Sequence, residues 1–419
     1  MNKSTKIVMW AAPACALVLA AGLAACTPEQ RAPMVDEASQ QVETPAADEF
    51  GVVDAESWAS AYPNQVASYE RNAENAPGEE KHNYLELYPA LSTMYAGYGF
   101  SKGYDEAASH LYTLDSILAT PRVNDSTLAN CITCKTPQFT ALVNAEGDGV
   151  YAERFNDLIG QFDEPISCYN CHENDPSTVT VASKFFLKSM GEDVANVPVE
   201  AQSCGQCHNE YYFDPTTKAT TNPYVGTAAM TPDAILAYYD ERGFSDWTYP
   251  GTGTPMIKVQ HPEFETLYGG SEEDRSQMVS MGYTCADCHM GTSVAEDGSK
   301  YTNHEWKSPL ENQELLDTTC NSCHGDLAAE VAAIQDAEEA RVQSISMKIK
   351  DMVDRMVAQV ADGSLSGDRL SQLQGLHRTA QFYWDFVMVE NSEGAHNPEL
   401  TNDTLDKAEA AVDQALSLL

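Results

Sequence analysis

Positive charge is scarce in this 419-residue chain, where 24 Lys+Arg face 63 Asp+Glu for a formal net charge of −39. Without a basic footprint, nucleic acid is excluded as a partner. Such an acidic field draws cationic partners instead. Long apolar runs are also missing, with one exception from Ile7 to Ala25. No later stretch approaches the ~20 residues that span a bilayer. Clear alternating strand patterns are few, so the fold class reads as mainly α, with much irregular chain. Unpaired cysteine is nearly absent. Of 12 cysteines, Cys15 and Cys26 lie in or at the end of the N-terminal run, and the other ten form five C-x-x-C pairs.

The N-terminus reads as a targeting segment over residues 1–25. Lys3 and Lys6 precede the apolar run, which ends in Leu23-Ala24-Ala25-Cys26. This ending resembles the lipobox of bacterial lipoproteins, which implies acylation of Cys26 and a lipid anchor outside the cytoplasm. Residues 26–50 are rich in Pro, Ala, Glu and Gln and read as a flexible tether.

The five pairs are Cys131/Cys134 (CITCK), Cys168/Cys171 (CYNCH), Cys204/Cys207 (CGQCH), Cys285/Cys288 (CADCH) and Cys320/Cys323 (CNSCH). C-x-x-C-H is the attachment signature of c-type haem. Two thiols add to the two vinyl groups of the porphyrin, and the next residue sits beneath the iron as proximal ligand. Neighbouring-cysteine disulfides would suit an exported chain, but they would not require His after the second Cys four times. Zinc sites would combine pairs or add a distant histidine set. Five covalent haems are therefore expected, four on His172, His208, His289 and His324. In the fifth motif Lys135 stands where His is expected. Its amine binds iron only when deprotonated, so its proton affinity must be suppressed.

Six histidines remain for distal ligation: His82, His110, His261, His304, His377 and His396. Low-spin haems each need a second strong ligand, and an open site needs none.

One CxxCK followed by four CxxCH resembles the pentahaem cytochrome c nitrite reductases that form ammonium. Supporting stretches are CGQCHNEYYF (204–213), KVQHPEFE (258–265), CADCHM (285–290), AQFYWDF (380–386) and NSEGAHNP (391–398). The resemblance implies an active site at the Lys135 haem, with a distal pocket of Arg122, Tyr211 and His261. It implies calcium held by Glu210, Gln260 and the carbonyls of Tyr211 and Lys258. It implies His110 opposite His208, His304 opposite His172, and His396 opposite His289. The haem on His324 departs from the pattern, because Met278 occupies the position of its distal histidine. Met278 or Met281 is the candidate thioether ligand there, and His82 and His377 are left without roles.

The C-terminal part changes character. No Pro or Gly occurs from Asp326 to Ala361, and Ile345, Ile349, Met352 and Met356 recur at helical spacing. Further helices are expected from about Arg369 to Glu390 and from about Thr401 to Leu418. The chain thus divides into 1–25, 26–50, a pentahaem region 51–330 and a helical region 331–419. By resemblance the helical region forms a homodimer interface. The implied activity is six-electron reduction of nitrite to ammonium, fed by an external donor cytochrome or quinol dehydrogenase. The competing readings are a multihaem electron conduit, or a reductase acting mainly on hydroxylamine or sulfite.

Overall fold

The computed structural model of the chain describes residues 42–78 and 81–419. The leader 1–25, Cys26 and most of the tether lie outside the described residues. Among the described residues helices dominate. Strands are confined to three antiparallel ribbons, Tyr212–Phe213 with Thr220–Thr221, Trp247–Thr248 with Pro255–Met256, and Thr292–Val294 with Lys300–Thr302.

Three long helices close the chain: Leu327–Ala361, Gly367–Met388 and Pro398–Leu418. Their limits follow local chemistry. Asp326 caps the first by accepting from the Ala329 N–H, and Asn397 caps the third by accepting from the Leu400 N–H, with Pro398 at the first helical position. Gly363, at φ 81°, follows the end of the first and terminates it. The expected stripe of Ile345, Ile349, Met352 and Met356 is fully buried. It packs with Leu373, Ala380, Trp384, Leu405, Ala408 and Val412 of the other two helices. Each such side chain contributes ~1.5–3 kcal/mol on burial. Trp384 Nε1 donates to the Val342 carbonyl at 2.8 Å, tying the second helix to the first.

The same core takes in Leu91, Met94, Tyr95, Trp247 and Met256 from the first half of the chain. The middle helix also faces a second core, where Phe382, Phe386 and Val389 meet Phe186, Tyr239, Ile257, Val259 and Phe264. It therefore braces the segment that carries Lys258, Gln260 and His261. A third, smaller core of Ile132, Phe139, Tyr151, Phe155 and Phe162 backs the CITCK motif.

Candidate haem and substrate site

Two motifs, Cys168–His172 and Cys285–His289, are single-turn helices. Ser167 with Asn170, and Thr284 with Asp287, form capping boxes at their starts. Positions i, i+3 and i+4 share a helix face, so both thiols and the histidine point the same way. CGQCH continues the Val199–Gly205 helix, and CNSCH forms a 3-10 turn over Cys320–Ser322. The CITCK motif differs. Cys134 has φ 62°, a conformation costly for a non-glycine residue, so the backbone leaves the helical path just before Lys135. None of the five pairs closes a disulfide on itself, since Cys131, Cys134, Cys168, Cys171, Cys204, Cys207, Cys285, Cys288 and Cys320 are free.

One cavity of about 3520 Å³ is lined by side chains from all five motifs, together with His110, His261, His304, His396, Met278 and Met281. A single small-molecule site occupies only ~300–1,000 Å³. Across it histidines face one another in pairs. Ring centroids are 6.0 Å apart for His110 and His208, 6.3 Å for His172 and His304, and 6.1 Å for His289 and His396. Two imidazoles bound to one metal through nitrogens at ~2.0 Å have centroids roughly 6 Å apart. His261 also lies 6.3 Å from His208.

The other ring nitrogen of most of these histidines is occupied. His172 Nδ1 donates to the Thr178 carbonyl at 2.9 Å, His289 Nδ1 to Lys307 at 3.0 Å, and His304 Nδ1 to Thr302 at 2.9 Å. Carboxylates serve the rest: Glu390 at 2.6 Å from His396 Nδ1, Glu330 at 2.8 Å from His324 Nδ1, and Glu263 at 3.7 Å from His208 Nδ1. Partners on Nδ1 fix ring orientation and leave Nε2 for a metal. Sequence reasoning missed this layer. Half of it is backbone carbonyl, which no side-chain pattern reveals, although Glu263 lies within the KVQHPEFE stretch.

The motifs touch in a definite order. The Cys134 thiol contacts Cys207, and the Cys204 thiol contacts Cys285. Cys171 lies within electrostatic reach of Cys204, and Cys288 of Cys320. The CGQCH motif is thus a hub between CITCK, CYNCH and CADCH, with CNSCH beyond CADCH.

Around Lys135 the side chains expected at the distal pocket come together. Burial pushes the Lys135 ammonium below its usual range, and the Arg122 charge adds to the effect. His261 opens onto the cavity, and desolvation by its surroundings pushes it down to about 4. Burial and the nearby Cys134 and Cys131 thiols raise Tyr211, which keeps its proton. Met278, half-buried in a turn of helix over Gln277–Ser280, lines the same cavity as His324, as does Met281. His82 is exposed at the cavity rim, and its backbone N–H donates to Glu106. His377 is fully buried, with Thr254 and Gln381 each 3.3 Å from a ring nitrogen.

The residues expected around calcium are also neighbours. Glu210 Oε2 accepts from the Gln260 N–H at 2.6 Å, and Gln260 Nε2 donates to the Lys258 carbonyl at 3.0 Å. Tyr211 is the next residue in the chain. Three consecutive backbone N–H groups each meet a different buried carboxylate: Lys258 meets Asp246 at 2.8 Å, Val259 meets Asp385 at 2.9 Å, and Gln260 meets Glu210. Glu265 accepts from the Glu210 N–H at 2.9 Å. Among the described residues only one cation, Lys258 Nζ at 3.2 Å from Asp385, pairs with these four carboxylates. Burial raises Glu210 well above the carboxylate range, Asp246 to about 7 and Glu265 to about 8. Negative charge buried at this density calls for a further cation, and oxygen donors suit a hard one. Among the described residues no three His, Cys, Asp or Glu side chains converge as a metal cage.

Comparison with known proteins agrees with this architecture. The chain is 33% identical over 411 residues to the cytochrome c nitrite reductase subunit NrfA of Nitratidesulfovibrio vulgaris, covering 85% of this chain and 76% of the relative. It is 29% identical over 385 residues to cytochrome c-552 of Parabacteroides distasonis, covering 83% and 74% respectively. The solved structure of the catalytic subunit of cytochrome c nitrite reductase from Desulfovibrio desulfuricans, described for its two calcium sites, superimposes with a TM-score of 0.77 at 26% identity. That match covers 89% of this chain and 87% of that one. The sequence pattern of the cytochrome c552 family matches residues 54–419, so the chain belongs to the cytochrome c552 family.

Proposed function

We propose that the chain is an ammonia-forming cytochrome c nitrite reductase, carrying five c-type haems and calcium and reducing nitrite at the haem of the CITCK motif. The observation that carries this reading is the contrast within one cavity. Three histidine pairs face each other at 6.0–6.3 Å, while Lys135 lines the same cavity with His261, and Arg122 and Tyr211 lie within electrostatic reach of its motif. Paired imidazoles suit electron transfer; an amine opposite a pocket suits substrate binding. Nitrogen passes from +3 to −3, so six electrons must arrive, and each haem carries only one at a time. When bound, the haems supply those electrons and one open iron position.

The chain's own residues do the rest. Lys135, whose proton affinity burial lowers, would offer its amine to the iron of the CITCK haem. Arg122 attracts the anion and donates hydrogen bonds to its oxygens. His261 and Tyr211 hold transferable protons beside it. Met278 would hold the haem on His324 as a thioether ligand, and a thioether there would raise that haem's potential relative to paired imidazoles. Glu210, Gln260 and the Tyr211 and Lys258 carbonyls would hold calcium.

The setting proposed is extracytoplasmic, with cleavage after residue 25, a lipid on Cys26, a tether to residue 50, a pentahaem region 51–330 and a helical region 331–419 that pairs two copies. No helix among the described residues is long and apolar enough to cross a membrane. The donor is a cytochrome or quinol dehydrogenase drawn by the acidic surface.

The test is ammonium yield from nitrite with a reduced viologen donor. Haem-loaded wild type is expected to convert nitrite to ammonium, and Lys135→His to lose most of the rate. Absence of nitrite consumption by the fully loaded wild type would overturn this reading and leave the conduit or a reductase of hydroxylamine or sulfite.

A further inference from the structure

Arginines in so acidic a chain are readily captured by carboxylates. Arg71 pairs with Glu305, Arg341 with Asp406, Arg355 with Asp351 and Arg378 with Asp240. Arg122 is one of five described arginines with no such pair, the others being Arg154, Arg242, Arg275 and Arg369. Among the described residues no carboxylate reaches its guanidinium. Its guanidinium carbon lies instead 4.2 Å from the centroid of the Phe100 ring. Its aliphatic stem passes Gly99, where a Cβ would stand 3.6 Å from Arg122 Cγ.

The ring is itself held in place. Phe100 stacks on Tyr98 at 5.7 Å and 15°, and Tyr98 stacks on Trp247 at 4.4 Å and 14°. Tyr104 meets Phe100 edge-on at 4.9 Å. The Lys258 ammonium lies 5.0 Å from the same ring. An aromatic face attracts a cation without supplying a strong hydrogen-bond acceptor. The guanidinium donors therefore stay available and its charge stays uncancelled. A carboxylate in that place would take two donors at once and neutralise the field an anion needs.

We infer that Phe100 is a positioning residue for anion capture: it holds the Arg122 guanidinium over its ring and away from carboxylates, and so sets the affinity for nitrite. Gly99 lies against the arginine stem, where a Cβ would make ordinary van der Waals contact and only a larger, branched side chain would crowd it. The role of Phe100 rests on the reading of Arg122 as the anion-binding arginine, and the experiment separates the two.

Four variants are compared with wild type after equal haem loading is verified by absorbance: Arg122→Gln, Phe100→Leu, Phe100→Tyr and Gly99→Val. Steady-state kinetics are measured with nitrite and with uncharged hydroxylamine, and nitrite affinity by optical titration of the oxidised protein. Phe100→Leu is expected to raise KM and Kd for nitrite about tenfold, the scale of a desolvated cation–π contact, with kcat within about twofold and hydroxylamine KM little changed. Phe100→Tyr keeps the ring face and is expected to behave as wild type. Gly99→Val crowds the stem with the ring intact and is expected to weaken nitrite as Phe100→Leu does. If Arg122→Gln weakens nitrite but Phe100→Leu does not, the role of Phe100 is overturned and the site reading stands. If Phe100→Leu impairs nitrite and hydroxylamine equally, the ring is merely structural and the inference fails. If Arg122→Gln leaves nitrite affinity unchanged, the reading of Arg122 falls and the inference with it.

Discussion

The C-terminal helices and the region that surrounds the cavity solve the problem of burial in opposite ways. The helices from Leu327 to Leu418 bury aliphatic and aromatic side chains against each other, with Ile349, Met352, Met356, Trp384, Leu405 and Val412 all at 0% exposure. The region before them is built of short helices, many of them a single turn, and 3-10 turns. It arranges cysteines, histidines and Lys135 around a cavity of about 3520 Å³. One region finishes its core with side chains. The other supplies attachment points, and covalent cofactors finish the core. A regular helix can be stabilised by a stripe every 3.6 residues. A five-residue motif helix cannot, because isolated helices that short are unstable.

The sharpest way to break this contrast is to withhold haem. Chain exported without haem attachment is expected to lose protease resistance throughout residues 51–330 while the three C-terminal helices keep most of their far-ultraviolet circular dichroism. Equal resistance in both regions would show that the cavity region is held by side chains after all. Next in size is the helical core. Trp384→Ala removes a fully buried ring and its hydrogen bond to Val342, and is expected to cost ~3–5 kcal/mol. Denaturant unfolding followed by circular dichroism measures it, and haem absorbance of the folded variant should not change.

A smaller effect probes the junction. Burial pushes His377 down to about 4, against ~6.5 when unfolded. Between those values the unfolded chain binds a proton that the folded chain refuses. Stability from this group is therefore full above about pH 6.5 and declines as pH falls toward 4, by no more than about 3 kcal/mol. His377→Gln should flatten that part of the pH profile of the denaturation midpoint; an unchanged profile would assign the acid loss to other groups. Least of all, Lys348→Ala, which breaks bridges to Glu409 and Asp413, should cost under ~1 kcal/mol and vanish in high salt. A larger, salt-insensitive loss would show that charge helps hold the bundle.

Legibility follows the same division. The haem motifs could be read because attachment chemistry demands two thiols and a ligand at i, i+3 and i+4, a local constraint. The Leu327–Ala361 helix could be read because its buried stripe is periodic and nothing interrupts it. The observed starts Gly367 and Pro398 precede the expected Arg369 and Thr401 by two and three residues, the later one because the Asn397 side chain caps it and Pro398 fits the first helical position. The pairing of His289 with His396, and the carboxylates on Lys258, Val259 and Gln260, join residues far apart in sequence. They were reachable only through family resemblance or not at all. Phe100 was invisible, because one phenylalanine in a glycine-rich loop carries no signal until Arg122 is seen above it.

By itself, then, the sequence determined how many haems the chain is built to attach, which motif stands apart, and that the chain ends in long helices, because each is written in spacing over a few residues. Only the tertiary structure decided which histidines face each other, which carboxylate or carbonyl steadies each ring, and that Arg122 rests on an aromatic face. Those outcomes depend on distances across the cavity, set when the middle C-terminal helix packs its two sides against two cores at once.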